Sequence, residues 1–202
     1  MKKILIIFAT LLFTINNAAA QSKNTSDEVV KFIDRLGNKI ISIAAENKIS
    51  EAAKKQKIIT EVDNAIDADW IARFVLGKNY KTADEPQRKR FMELYRQFMI
   101  NTYGPKFKNY NGKKFQVISV DQQNGFYVAK CEFLPKDSNV AINVQFRVKE
   151  RDGKLAVLDF VTEGISLIET QRSEFNSAIS EQGMDKFMDD LAKRVQALKD
   201  KK

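Results

Sequence analysis

Apolar positions recur along this chain at two spacings, three to four residues apart before residue 104 and after residue 165, and two apart between 114 and 161. The first spacing belongs to a helix with one buried stripe and the second to a strand with one buried face. Ser26, followed by Asp27 and Glu28, opens a helix that Val29, Val30, Ile33, Leu36, Gly37, Ile40, Ile41 and Ile43 carry to about Glu46. A short oxygen-bearing side chain satisfies free amides of a first turn, and acidic residues suit its dipole. Ser50 caps a second helix through Ile58, Ile59 and Val62, whose lysines read as a solvated face. A third helix over 67–77 places Ile66, Trp70, Ile71, Phe74, Val75 and Leu76 on one broad apolar surface and stops at Gly77. A fourth, over 82–103, has Pro86 in its first turn and a stripe of Phe91, Leu94, Tyr95, Phe98, Met99, Thr102 and Tyr103. Gly104 and Pro105 end it, and Phe107 and Tyr110 lie in the connection that follows.

The period then changes. Four strands are predicted at 114–121, 126–134, 140–149 and 155–161, separated by Gln122-Gln123-Asn124-Gly125, Pro135-Lys136-Asp137-Ser138 and Arg151-Asp152-Gly153, all turn sequences. Such short connections make neighbouring strands antiparallel. Val140, Ile142, Val144, Phe146 and Val148 alternate with Asn143, Gln145, Arg147 and Lys149, giving one apolar and one wet face. The last strand holds Leu155, Val157, Leu158, Phe160 and Val161 and runs through a Glu163-Gly164 corner into another helix. There Ser166 and Glu169 have the spacing of a capping box, Ile165, Ile168, Arg172, Phe175 and Ile179 continue the helix, and Gly183 stops it. A closing helix over 185–198 passes through Phe187, Met188, Leu191, Val195 and Leu198. The order predicts an α+β fold, an antiparallel four-stranded sheet covered on one face by N- and C-terminal helices, with room for a deep apolar pocket between the layers.

Composition narrows the class. A chain of 202 residues with only 8 Gly and 3 Pro suits one ordinary globular domain and argues against disorder. Lys2 and Lys3, the apolar run 4–15 and Ala18-Ala19-Ala20 form a secretory signal, so residues 1–20 read as a signal peptide and 21–202 as a single mature domain. Cleavage would leave a formal charge of +6 out of +8, still basic, but the cations are spread out, so nucleic acid is not the expected partner. Cys131 is the one cysteine, which excludes an internal disulfide and reads as a small buried hydrophobe rather than a reactive thiol. The absence of histidine removes Ser-His and Cys-His nucleophilic machinery and the commonest zinc ligand.

The order and spacing of several pieces resemble one family. Asp159, Glu163, Gly164, Ile165, Ser166, Leu167, Arg172 and Phe175, followed by Gly183, Met184, Asp185, Phe187 and Leu191, resemble the C-terminal pattern of MlaC-type proteins, the toluene-tolerance or ABC-transporter auxiliary family. The segment 66–77 followed by Tyr80, and the aromatic spacing over 91–103, resemble it as well. The resemblance implies a periplasmic phospholipid carrier with a cone-shaped nuclear-transport-factor (NTF2-like) fold. It implies diacyl phospholipid as cargo, no cofactor, traffic between an outer-membrane lipoprotein complex and an inner-membrane ABC transporter, transient docking, and a monomer.

Candidates for the wall of such a pocket are Trp70, Phe74, Phe91, Leu94, Phe98 and Tyr103 on helices, Ile142, Val144 and Phe146 on the sheet, and Ile165 and Leu167 at the corner, each of which ordinary core would explain equally well. Arg147 and Arg172 could approach a phosphate, although solvated or salt-bridged roles explain them better. Glu163 is expected to meet a nearby amide or cation. Two other readings keep part of this picture. A periplasmic chaperone would use the same pocket for apolar polypeptide, and an enzyme would use Asp159 as a base with a raised pKa. No metal site is expected, and no phosphate-binding loop of the G-x-x-x-x-G-K-[ST] kind is present.

Overall fold

The computed structural model describes residues 7–103, 112–136 and 139–200, and the side chains among them except those of 7–24 and 112–113. Of the signal-peptide reading 1–20, the first six residues lie outside the described residues and the rest are described in backbone only; Gly104, Pro105, Phe107 and Tyr110 also lie outside. Helix α1 spans Ile7–Ala44, so Ser26 lies inside a longer helix rather than at its start. It is followed by α2 (Glu51–Ala65), α3 (Ala68–Leu76), the single turn α4 (Asn79–Thr82) and α5 (Glu85–Tyr103). Strands β1 (Gly112–Gln123), β2 (Phe126–Pro135), β3 (Ile142–Arg151), β4 (Lys154–Thr162) and β5 (Ile165–Ser166) precede α6 (Leu167–Gln182) and α7 (Met184–Asp200). No described helix is long and apolar enough to cross a membrane.

The caps behave as short-range chemistry dictates. Ser50 accepts from the Ala53 amide and Asp67 from the Trp70 amide. At the start of α5, Asp84 accepts from the Gln87 amide while the Gln87 side chain accepts from the Asp84 amide, a reciprocal box.

The sheet is antiparallel with order β1-β2-β3-β4-β5. It has five strands rather than four, because Ile165 and Ser166 fold back to pair with Thr162 and Val161. That return is a two-residue turn in which Glu163 (φ 52°) and Gly164 (φ 78°) are both left-handed, as are Asn124-Gly125 and Asp152-Gly153 in the other two-residue turns. Positive φ at both central positions matches the twist of the paired strands.

The helices do not all cover one face. On β3, Val144, Phe146 and Val148 point to one side, where Val29 and Ile33 of α1 pack with Phe115, Ala129, Cys131 and Val157. Arg147 points to the other side and pairs with Glu169 of α6. Phe126, which lies under the Lys149 ammonium, takes an edge contact from Trp70 of α3 on that side. Physically, β4 is buried on both faces while β1 and β2 keep a wet side, so one sheet serves two helical layers.

Two cores result. One lies between α1 and the sheet, and the other joins α3, α5, α6 and α7 around Phe91, Tyr95, Phe98, Phe175 and Phe187. Ile66 packs against both and forms a parallel bridge to Val157, tying the edge of β4 to the helical unit.

Close approach of α1 depends on Gly37. A Cβ there would lie 2.3 Å from the ring of Phe115, which is itself buried. Alanine is about 1 kcal/mol better than glycine inside a helix, yet Gly37→Ala is expected to cost ~1–3 kcal/mol net because the ring must move. Urea unfolding checks this, and adding Phe115→Leu to the alanine variant should recover part of the loss.

Candidate functional site

The corner between β4 and α6 is built on a buried carboxylate. The register runs from Arg147 opposite Asp159 to Val148 opposite Val157, which leaves Leu158 as the extra residue of a bulge. Bulges re-aim side chains, and here Asp159 meets the N-terminus of α6. It accepts hydrogen bonds from the Phe160 amide (2.8 Å), the Ser166 hydroxyl (2.6 Å) and the Ile168 amide (3.2 Å), with the Arg147 guanidinium 3.4 Å away. Ser166 accepts in turn from the Glu169 amide, so half of the expected capping box forms. The other half does not, because the Glu169 carboxylate turns away to Arg147 at 2.6 Å.

Burial pushes the Asp159 carboxyl above its ordinary 3.8, while Ser166, the two amides and Arg147 pull it back without cancelling the rise. Its side chain has no solvent-exposed surface. A carboxylate so enclosed offers no face to a substrate, which counts against the general-base reading.

A second polar link lies one turn further along α6. Gln171 is buried, accepts from the Tyr95 hydroxyl at 2.5 Å, and directs its amide to Met99 Sδ (3.2 Å) and the Tyr103 oxygen (3.5 Å). Burial raises the pKa of both phenols, which keeps them protonated. On the neighbouring stripe, Arg172 donates to the Phe74 carbonyl (2.7 Å) and stacks on the Phe74 ring, and Asn176 donates to the Val75 carbonyl (2.9 Å). These two side chains close the C-terminus of α3, whose last carbonyls have no partner within the helix. Arg147 and Arg172 are thus both engaged by the protein. Glu163 is exposed and meets neither an amide nor a cation among the described residues, contrary to expectation.

The expected wall residues divide into three groups. Trp70 and Phe74, stacked at 5.2 Å, and Leu94 are half-buried in the helical core, where Phe91 and Phe98 are enclosed at 1% and 3% exposure. Val144 and Phe146 belong to the core beneath α1, and Phe146 meets Phe160 edge-on at 5.4 Å. Ile142, Ile165, Leu167 and Tyr103 belong to neither core. Ile142 is 46% and Ile165 60% exposed. Val144 pairs with Thr162 and Thr162 with Ile165, so Ile142, Val144 and Ile165 share a face and one end of the sheet.

An apolar strip therefore runs on this face from Phe146 and Phe160 inside to Ile142 and Ile165 outside. Phe160 was not among the candidates, because the Leu158 bulge shifts the parity that alternation relies on. Cys131 lies in the core on the same face, and burial, helped by Asp34, pushes its thiol up to about 12. It is a packed, protonated side chain. Among the described residues no group of His, Cys, Asp and Glu is placed to hold a metal ion.

Comparison with known proteins adds a lineage to this geometry. A family model described as MlaC protein matches residues 32–193. The toluene tolerance protein Ttg2D of Pseudomonas putida is 23% identical over 133 residues, which are 64% of this chain and 62% of that protein. A solved structure of the phospholipid-binding protein from Ralstonia solanacearum, in complex with a phospholipid, matches with a TM-score of 0.69 at 17% identity, covering 86% of this chain and 97% of that one. The last likeness establishes the α+β fold.

Asp159→Asn should lower stability near pH 7 by roughly 2–4 kcal/mol, since it breaks a buried, hydrogen-bonded charge pair. The pH dependence has a definite sign. Between 3.8 and its raised native value, the folded chain holds a proton that the unfolded chain has released, so this group's contribution to stability falls as pH rises. Chemical unfolding at a series of pH values should show that component in the native protein and not in the variant.

Proposed function

Because the chain belongs to the MlaC protein family, we propose that it is a periplasmic phospholipid carrier, synthesised with the signal peptide 1–20 and working as the single domain 21–202. The observation that carries this reading is the apolar strip that leads from Phe146 and Phe160 to the exposed Ile142 and Ile165. A half-buried aromatic floor continuous with an open apolar end suits a hydrocarbon guest better than a closed core. Leu167 and Tyr103, half-buried and outside both cores, complete the mouth in this proposal. The NTF2-like cone, with its pocket between sheet and helices, belongs to the same proposal.

Energetics set the role. Two acyl chains hold about thirty methylene groups, and at ~0.8 kcal/mol each their removal from water is worth roughly 25 kcal/mol. A bilayer rewards the lipid almost equally, so carrier and membrane differ by a small remainder. Direction must then come from docking. In this reading the monomeric carrier takes lipid at an outer-membrane lipoprotein complex and exchanges it with an inner-membrane ABC transporter, which supplies the energy. No chemical step is assigned to the carrier.

Native mass spectrometry of protein purified without detergent should find the mass of a diacyl phospholipid bound. Phe146→Asp or Ile142→Asp should reduce occupancy about tenfold or more, since a charge in an apolar site costs at least 1.4 kcal/mol. Absence of lipid, together with binding of unfolded polypeptide, would overturn the proposal in favour of a chaperone.

A further inference from the structure

The helical half carries a concentration of cations that neither core nor mouth requires. Tyr80, in the turn α4, lies under two guanidinium groups, Arg88 at 4.6 Å and Arg73 at 5.8 Å from the ring centre. Arg88 also donates to the Tyr80 carbonyl, which fixes its position. Next to this lies a surface hollow of about 360 Å³ lined by Lys78, Arg172, Ser173, Asn176 and Glu169. Lys81 is exposed on the same turn.

Arg73, Lys78, Lys81 and Arg88 have no carboxylate partner among the described residues. The carboxylates nearby are largely committed elsewhere. Glu169 pairs with Arg147, Glu85 with Lys89, and Asp84 caps α5, which leaves Asp69 as the remaining negative charge on α3. The corner thus carries an excess of positive charge around a concavity, an arrangement that steers and holds the opposite charge.

We propose that the α3–α4 corner, with Arg73, Lys78, Lys81 and Arg88 around the hollow beside Arg172, is a docking surface for a protein partner that presents clustered carboxylates. A lipid surface fits less well. The exposed large hydrophobics among the described residues, Ile118, Val140, Ile142 and Ile165, are all in the sheet half, so nothing here would enter a bilayer, and a concave patch cannot lie flat on one. Protruding aspartate and glutamate side chains can enter the hollow. This surface is separate from the proposed lipid mouth and does not depend on what the mouth holds.

Decaglutamate peptide is a suitable probe. Titrated into the ¹⁵N-labelled protein at low salt, it should shift amides of residues 73–88 and 172–176 and leave the Ile142–Ile165 end unmoved. Lys78→Glu combined with Lys81→Glu should weaken binding at least tenfold, whereas Lys31→Glu with Lys39→Glu, an equal change of charge on α1, should weaken it much less. Equal urea midpoints would establish that both variants are folded. Equal weakening by both pairs, shifts centred elsewhere, no peptide binding, or phosphatidylglycerol vesicle binding that depends on Lys78 and Lys81 in preference to peptide would each overturn the proposal. None of these outcomes bears on lipid occupancy measured by mass.

Discussion

A carboxylate without water around it must find its hydrogen bonds inside the protein, and Asp159 finds them on three elements at once. Its own strand supplies the Phe160 amide, the β5 return supplies Ser166, and α6 supplies Ile168, while Arg147 reaches across from β3. The direction in which α6 leaves the sheet is set by this one side chain. Once that direction is set, Gln171 meets α5, Arg172 and Asn176 meet the end of α3, and Phe175 enters the aromatic cluster with Phe91 and Phe187. One helix thereby organises a whole core from a single polar anchor.

The same anchor explains why there are two cores. A sheet that buried only one face would have no use for a polar cluster on the other, and the Arg147, Asp159 and Ser166 cluster is the device that brings helices to the second face. Apolar packing alone would not have fixed the direction there, since hydrophobic contact is non-directional. Hydrogen bonds from a helix N-terminus to a carboxylate are directional, and the dipole adds to them.

Much of this was legible in the sequence because it is local. Spacing gave six of the helices and four strands, and caps at Ser50 and Ser166 acted where the letters placed them. What escaped is non-local. Asp159 lies seven positions before Ser166, and no local capping rule reaches across a hairpin return. Glu169 fitted a capping box by spacing but found a stronger partner in Arg147 on another element. The Leu158 bulge exchanged the faces of the residues after it, so Phe160 could not be assigned by alternation. Short segments such as α4 and β5 carry too few residues for any period to be read.

The closed and open parts of the molecule also differ in what making room for a guest would cost. Phe91 and Phe98 are enclosed by other rings, and opening space there would forfeit contacts worth several kcal/mol. At the Ile142 and Ile165 end little is forfeited, because those side chains already face water. In the proposed role, a guest entering from that end would repay an exposure cost the protein carries when empty, and its departure would restore it. A binding site made from such surface holds hydrocarbon without making release prohibitive, which is the physical requirement on any carrier that must both accept and surrender its cargo.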